Sequence, residues 1–532
     1  MLPVAEGILL RIFFSSILPR FLIPYIKHRG KEYGKVLEYG LRGAGSPESK
    51  KKVVVEFSSP NIIEEFKAPN LRSTLLGAFI ANLYENMGWD VVRINYLGDW
   101  GNNIGLFGVG WPKFGCDDKI DDYRHLAEVY AKVNELLEPE REASRKQKKK
   151  DKGQQNGHVS PELKATGLSA EREEFSKKME DRDPEAIKLW TKARQVSIDH
   201  YTRLFGRLNV EFDEYSGESQ VLPETMAEIE EILKKKSLCE EKDGSVIIDL
   251  TKYDINGFGI IRRHGTSTYL LRDLGAAVDR FRQHQFDKMI YVVSQDQESH
   301  FRKVKKIMEL MDDEFPGLAE NLQPVFFSRV ARSFQALTSG KHLDDILDEA
   351  EKSMQESLEQ NPDKAVTLGP SDGLAAKMGI NALVAQGMHA KRAHDPIFDK
   401  MTSFEATPAT GPFMQYVYTR TQTVLAQSSG ELDGLDLSQL SLEDHRGPTP
   451  CPFTELLRVL IQYPDVTSSA YDAIESAPVM ACLQNVTVQL GKCLDEGDGA
   501  GTFSMTQRAI LDAGRQVLEN GMNLLGMSPA TN

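Results

Sequence analysis

Two short β-branched runs, VVVEF (Val53 to Phe57) and VVRINYL (Val91 to Leu97), flank an apolar helical stretch, LRSTLLGAFIANLYENMG, that stops at Gly88. Strand, helix and strand at this spacing form a βαβ unit, which commits this part of the chain to an α/β fold. Further on, SVIIDL (Ser245 to Leu250), GIIRR (Gly259 to Arg263) and MIYVVS (Met289 to Ser294) read as strands, with helical stretches at Pro184 to Leu208 and in RDLGAAVDRFRQH. The alternation predicts a mostly parallel, doubly wound, Rossmann-like sheet with ligands at the carboxyl ends of its strands. From about Pro396 the strand signals stop. Phe413 to Ser428, Phe453 to Tyr463, Ser468 to Gly491 and Met505 to Leu525 carry helical apolar spacing broken by Gly, Pro and Asp, as in a bundle. The expected layout is a helical segment over 1–50, an α/β domain over 51–395 and an all-α domain over 396–532.

A chain of 532 residues is too long for one core, which fits that division. Its 64 basic and 78 acidic side chains leave a net charge of −14, so any RNA contact is confined to one face and a DNA-coating surface is excluded. Five scattered cysteines with no paired spacing indicate free thiols in a reducing, cytoplasmic setting and no metal site. The apolar stretch from Gly7 to Ile26 is interrupted by Arg11, Pro19, Arg20 and Pro24, and its longest uncharged run, Ile12 to Pro19, is far short of the roughly 20 residues that span a bilayer, so it reads as a packed helix. Residues 138–160 (EPEREASRKQKKKDKGQQNGHVS) are nearly free of apolar groups and read as a flexible surface insertion, whose basic run Arg145 to Lys152 is a solvated loop or a contact for RNA phosphates.

Eight segments in order carry a family resemblance: VEFSSPN (from Val55), NYLGDWG (Asn95), FDEYSGESQV (Phe212), TSTYLLRDLGAAVDRF (Thr266), FDKMIYVV (Phe286), MTSFE (Met401), TGPFMQY (Thr410) and LLRVLIQYPDV (Leu456). Together they make the chain similar to class I arginyl-tRNA synthetases. The resemblance implies a Rossmann-like catalytic domain followed by a helical anticodon-binding-like domain, which includes VLENGMNLLGMSP (Val517 to Pro529), with 1–50 as the remnant of an N-terminal domain. It also implies that Glu56, Ser59, Asn61, Tyr269, Asp273 and Gln297 hold arginine. The chemistry agrees, because a guanidinium presents five donors in a fork and needs carboxylate, amide and phenol acceptors.

The residues that the family uses for ATP differ. Its His-x-Gly-His element falls on Lys67-Ala68-Pro69-Asn70, and the lysine that usually precedes it falls on Glu64, where a phosphate would meet a negative charge. Its second loop, Met-Ser-x-Arg-Lys, falls on Ser333 to Leu337, which keeps no lysine. At about 3 kcal/mol for each lost contact, three or four losses approach a factor of roughly 10⁸.

An arginine pocket without an ATP site resembles the fungal arginine-containing cyclodipeptide synthases. The resemblance implies a cofactor-free reaction of arginyl-tRNA with a second aminoacyl-tRNA to give a cyclo-Arg-Xaa diketopiperazine, with a separate arginyl-tRNA synthetase as supplier and no DNA or membrane partner. The Asp-Asp-x-x-Glu motif of that family falls on Asp344 and Asp345 with a departure, Asp348 standing where Glu is expected and Glu349 one place later, and reads as an acid–base set or as a helix start. Ser58 is the candidate acyl acceptor, and His300 and His264 are candidate bases. Two other readings stand beside this one: an active arginyl-tRNA synthetase with divergent ATP motifs, and a non-catalytic tRNA-binding paralogue.

Overall fold

The computed structural model describes residues 18–43, 49–152, 167–255, 257–263, 265–328, 341–370, 373–396, 402–405, 410–426, 440, 451–500 and 503–530. Five strands, β1 (Lys52–Glu56), β2 (Asp90–Leu97), β3 (Glu214–Gly217), β8 (Lys288–Ser294) and β9 (Leu322–Phe327), form a parallel sheet in the order β3-β2-β1-β8-β9. β1 is central, with Glu56 in register with Ile94 on one side and Tyr291 on the other. Alternation along β1 sends Val53 and Val55 into one core cluster and Val54 into the other. Glu56 therefore ends the strand on the Val54 face.

The helix between the first two strands, α2 (Ala68–Asn86), starts at an extended Lys67 with Pro69 in its first turn and is closed by Gly88 at φ +83°. It is buried around nearly its whole circumference, because the sheet covers one side and the helical domain the other. Leu75 meets Gly387, and the Asn82 amide reaches the carbonyls of Asn523 and Leu524 at 3.4 Å.

SVIIDL and GIIRR correct the expectation of one doubly wound sheet. β4 (Cys239–Lys242), β5 (Ser245–Asp249), β6 (Phe258–Arg263) and β7 (Thr266–Ser267) form a separate antiparallel sheet. The reason is local: Asp243 (φ +49°) and Gly244 (φ +72°) make a two-residue hairpin turn, far too short for a parallel crossover. The charged run from Glu138 is likewise helical as far as Lys152, as the end of α4 (Tyr123–Lys152), after α3 (Asn102–Phe114). Ion pairs from Glu138 to Arg141 and Arg145 support it there. Glu140 then accepts from the amides of Leu168 and Ser169, which start α5 (Leu168–Glu180). Residues 153–160 lie outside the described residues.

α6 (Pro184–Arg207), α7 (Pro223–Lys235), α8 (Tyr269–His284) and α9 (Glu298–Leu310) belong to the α/β part, which the helices Leu343–Glu359, Pro362–Leu368 and Leu374–His389 follow. After them, helices Gly411–Ala426, Pro452–Leu460, Tyr463–Ala473, Ala477–Ala500 and Met505–Leu524 form the expected bundle. Of the segment read as a packed helix, residues 7–17 lie outside the described residues and the rest falls in α1 (Leu18–Arg29), whose Leu22, Ile23 and Ile26 are buried. The Asn520 amide, from the Met505–Leu524 helix, donates to the carbonyls of Gly30 (2.9 Å) and Tyr33 (3.0 Å) just beyond α1. Among the described residues no helix is long and apolar enough to cross a membrane.

Candidate functional site

A cleft of about 700 Å³ opens between the carboxyl end of the parallel sheet and the β6–β7 hairpin, lined in part by Trp100, Glu218, Tyr269, Gln297 and His300. Periodicity on α8 explains its layout. Tyr269, Asp273 and Arg280 recur at helical spacing, so one stripe descends from an exposed phenol to a buried guanidinium. At its top, Tyr269 is 63 % exposed, and its ring lies 5.0 Å from that of His300. One turn lower, Asp273 Oδ2 is 2.6 Å from His300 Nε2. At the bottom Arg280, over the ring of Tyr96 at 4.6 Å, donates to Glu56 Oε2, and both partners are buried.

That last contact revises the expected role of Glu56, whose carboxylate is already engaged by a guanidinium of the protein itself. Burial pushes the Glu56 carboxyl up, and Arg280 counters it. Burial also works against the Arg280 charge, but Glu56, Tyr291 and Tyr96 more than offset it and hold the guanidinium above its ordinary range. A guanidinium does not surrender its proton to a carboxylate, so the pair is read as an ion pair. Asp273, by contrast, is bonded to the imidazole of His300, which lines the cleft.

Glu218, overlooked in the sequence, also lines the cleft; burial, reinforced by Asp273 and Asp99, pushes its carboxyl up to about 8. At the other end of the cleft, Glu180 accepts from Trp100 Nε1 (3.2 Å), Ser267 Oγ (2.9 Å) and Arg272 Nη2 (2.9 Å). Burial works the other way, yet Arg272 and these hydrogen bonds hold the Glu180 carboxyl below the usual range. The segments FDEYSGESQV and TSTYLLRDLGAAVDRF contained Glu218, Arg272 and Arg280, and the seven-residue interval from Asp273 to Arg280 was the available signal.

Ser59 and Asn61 stand on the turn after β1, outside the cleft lining. Asn61 bridges to Gly98, where a Cβ would come within 2.0 Å of Asn61 Oδ1 and displace that side chain. Gln297 is exposed at the cleft mouth. The structure thus brings Tyr269, Asp273 and Gln297 together with His300, puts Glu56 beneath them, and sets Ser59 and Asn61 on an adjoining loop.

Glu64, expected to repel a phosphate, does not present a bare charge. Its buried side chain accepts from Asn61 Nδ2 (2.9 Å), Asn103 Nδ2 (2.8 Å) and Tyr130 OH (3.1 Å), and Lys67 lies against it. Asn70 turns its amide toward the carbonyl of Ser58 at 2.8 Å. Ser333, Leu337 and His264 lie outside the described residues.

The candidate acid–base set lies elsewhere, on the helix Leu343–Glu359, and none of it lines the cleft. Arg124 Nη2 bonds Asp344 at 2.6 Å and Asp345 at 2.8 Å, Arg207 Nη1 bonds Asp348 at 2.7 Å, and Lys341 pairs with Glu349. Asp345 also accepts from the His342 amide at 3.0 Å, as a residue at a helix start does. Although burial opposes it, Arg124 holds the Asp344 carboxyl below its ordinary range. Ser58 is equally unavailable: it is buried, with Oγ 2.9 Å from Thr74 Oγ1. Among the described residues no group of side chains could hold a metal ion.

A parallel sheet with its cleft at the strand ends, crossed by a small antiparallel hairpin and followed by a helical bundle, defines a Rossmann-type catalytic domain with an appended all-α domain. Residues 35–400 match the family of class I (R) tRNA synthetase catalytic domains, and residues 414–532 match the DALR anticodon binding domain. The chain belongs to the class I arginyl-tRNA synthetase family. It is 37 % identical to the cytoplasmic arginine–tRNA ligase of Saccharomyces cerevisiae, over 99 % of this chain and 82 % of that protein. It is 36 % identical to the mitochondrial arginine–tRNA ligase of the same yeast, over 93 % of this chain and 74 % of that protein. In fold it is similar to the arginyl-tRNA synthetase of Plasmodium falciparum, with a TM-score of 0.70 and 19 % identity over 95 % of this chain and 82 % of that one.

These relatives overturn the expectation of a cyclodipeptide synthase, since the near-full-length matches are to arginine–tRNA ligases. The second aminoacyl-tRNA, the supplying synthetase, the diketopiperazine product and the acid–base reading of Asp344, Asp345, Asp348 and Glu349 go with it. The geometry gives the physical reason: those carboxylates are held by Arg124, Arg207 and Lys341 at a helix start, away from the cleft.

Proposed function

We propose that this chain is an arginine–tRNA ligase with a nucleotide site of divergent composition, working in the cytoplasm. The observation that carries the reading is the α8 stripe: a carboxylate, Asp273, bonded to the cleft-lining His300 and set between an exposed phenol and a buried ion pair, suits a ligand with a guanidinium at one end. Substrate arginine displaces His300 from Asp273 and stacks near Tyr269, with Gln297 at the mouth and the Glu218 carboxyl alongside. Ser59 and Asn61 shape the adjoining turn, and Glu56 acts from below by fixing the charge of Arg280. The reading is supported by the names of the two yeast relatives and by the anticodon-type domain over 414–532, which we assign to tRNA. Residues 1–50, 51–395 and 396–532 are the corresponding functional units.

Activation of a carboxylic acid needs a nucleoside triphosphate as co-substrate, and Glu64, Lys67 and Asn70 occupy the positions the family uses for it. Purified protein is expected to exchange pyrophosphate into ATP only when arginine is present, and to charge tRNA with arginine. Absence of exchange at high enzyme concentration removes the ligase reading. The engagement of Lys67 by Glu64 favours one second reading, a tRNA- and arginine-binding paralogue without catalysis. It predicts binding of both ligands with no exchange.

A further inference from the structure

Three residues without the freedom of glycine stand at positive φ in the turn after β1: Ser58 (+70°), Ser59 (+45°) and Ile63 (+61°). Such a conformation is costly and persists only where the surroundings over-determine it. The turn is indeed held from both ends. At its start, the Asn70 amide donates to Ser58 O (2.8 Å) and, more weakly, to Ser59 O (3.4 Å). The Ser58 amide donates to Ser73 Oγ (2.9 Å), and that hydroxyl donates in turn to Val292 O of β8 (2.7 Å). Thr74 Oγ1 lies 2.9 Å from Ser58 Oγ and 2.7 Å from Asn70 O. At its far end, Glu64 gathers Asn61, Asn103, Tyr130 and Lys67, and its carbonyl accepts from Tyr123 OH at 2.8 Å. Asn70 thus fills a position where a phosphate contact was expected with an amide turned inward onto the backbone.

We propose that Asn70 is a positioning residue for arginine, which it does not touch. Its side-chain amide holds the left-handed serine pair and thereby fixes the turn that carries Ser59 and Asn61 beside the arginine cleft. The inference rests on the arginine-recognition reading given above. The chemistry needs a neutral amide in particular, because two carbonyl oxygens face it and a carboxylate there offers no donor.

The test uses the full-length chain, with L-arginine affinity measured by calorimetry and tRNA affinity by filter binding. Asn70→Asp is expected to weaken arginine at least 20-fold while changing tRNA affinity less than twofold. Adding Ser58→Gly to Asn70→Asp is expected to recover most of that loss, because glycine adopts positive φ without the clamp. If Asn70→Asp does not fold, Asn70→Ala with and without Ser58→Gly is read in the same way. Arginine affinity unchanged in the Asn70 variant overturns the proposal, as does a loss shared equally by tRNA and not recovered by Ser58→Gly. A wild-type chain with no affinity for arginine overturns the parent reading as well, so the two failures are told apart by the wild-type titration alone.

Discussion

The two walls of the candidate site use their polar groups in opposite ways. On α8 and the start of α9, Tyr269, Gln297 and His300 line a cleft, and the Asp273–His300 contact behind them is one that a ligand can replace. Around the turn from Ser58 to Lys67, nearly every polar group is spent inside the protein, on Asn70, Ser73, Thr74, Asn103 and Tyr130. The first wall is organised to exchange partners and the second to keep them. Residue type alone would not separate them, since both contain carboxylates, amides and hydroxyls; what separates them is whether the acceptors are already occupied.

The strongest way to probe the contrast is at the ion pair beneath the open wall. Arg280→Met leaves Glu56 buried without its cation and is expected to cost about 3–5 kcal/mol of stability in urea unfolding, much of it restored by adding Glu56→Gln. If the single variant is as stable as wild type, the two walls do not share a rigid floor. Next in size, Asp273→Ala is expected to weaken L-arginine by roughly 100-fold, about 3 kcal/mol, with unfolding nearly unchanged. A large loss of stability with affinity intact would move Asp273 to the closed wall.

The closed wall makes a pH prediction through His200, whose ring is stacked on Tyr123 at 3.9 Å and which burial lowers from 6.5 to about 4. The unfolded chain binds the proton first, so stability is present at neutral pH and is lost as pH falls from 6.5 toward 4. Between pH 7 and pH 5 the loss is at most about 2 kcal/mol, and His200→Phe is expected to flatten that slope. An unchanged slope means the ring titrates freely. The smallest effect belongs to Arg124→Ala, which frees Asp344 and Asp345. As a half-exposed pair it is expected to change stability by less than about 1 kcal/mol and arginine affinity not at all.

Much of the fold could be read from local pattern. VVVEF and VVRINYL became neighbouring parallel strands because a buried helix joins them, and the four late apolar segments fall on five helices, Ser468 to Gly491 being broken where Ile474 turns left-handed. SVIIDL and GIIRR were correctly read as strands but placed in the wrong sheet, since their pairing is decided by the two-residue Asp243-Gly244 turn rather than by hydrophobicity. The run after Glu138 looked like a loop by composition, yet its charges are spaced for pairing along a helix. At the site, residue types pointed to Tyr269, Asp273 and Gln297; Tyr269 and Gln297 line one cleft, and Asp273 is bonded to its His300. Sequence could not tell that Glu56 is already taken by Arg280, nor that Asp344 and Asp345 answer to Arg124, 220 and 221 positions away from it in the chain. Partner identity over such separations is a property of packing, and one strand or helix read by itself does not contain it.

The fastening of Asn520 to the carbonyl of Gly30, 490 positions apart, bears on how the molecule is made. A ribosome releases α1 long before the helix that covers Leu22, Ile23 and Ile26 exists. Through most of translation that apolar surface lacks the helix it packs on, so a chain truncated before Met505 leaves it exposed.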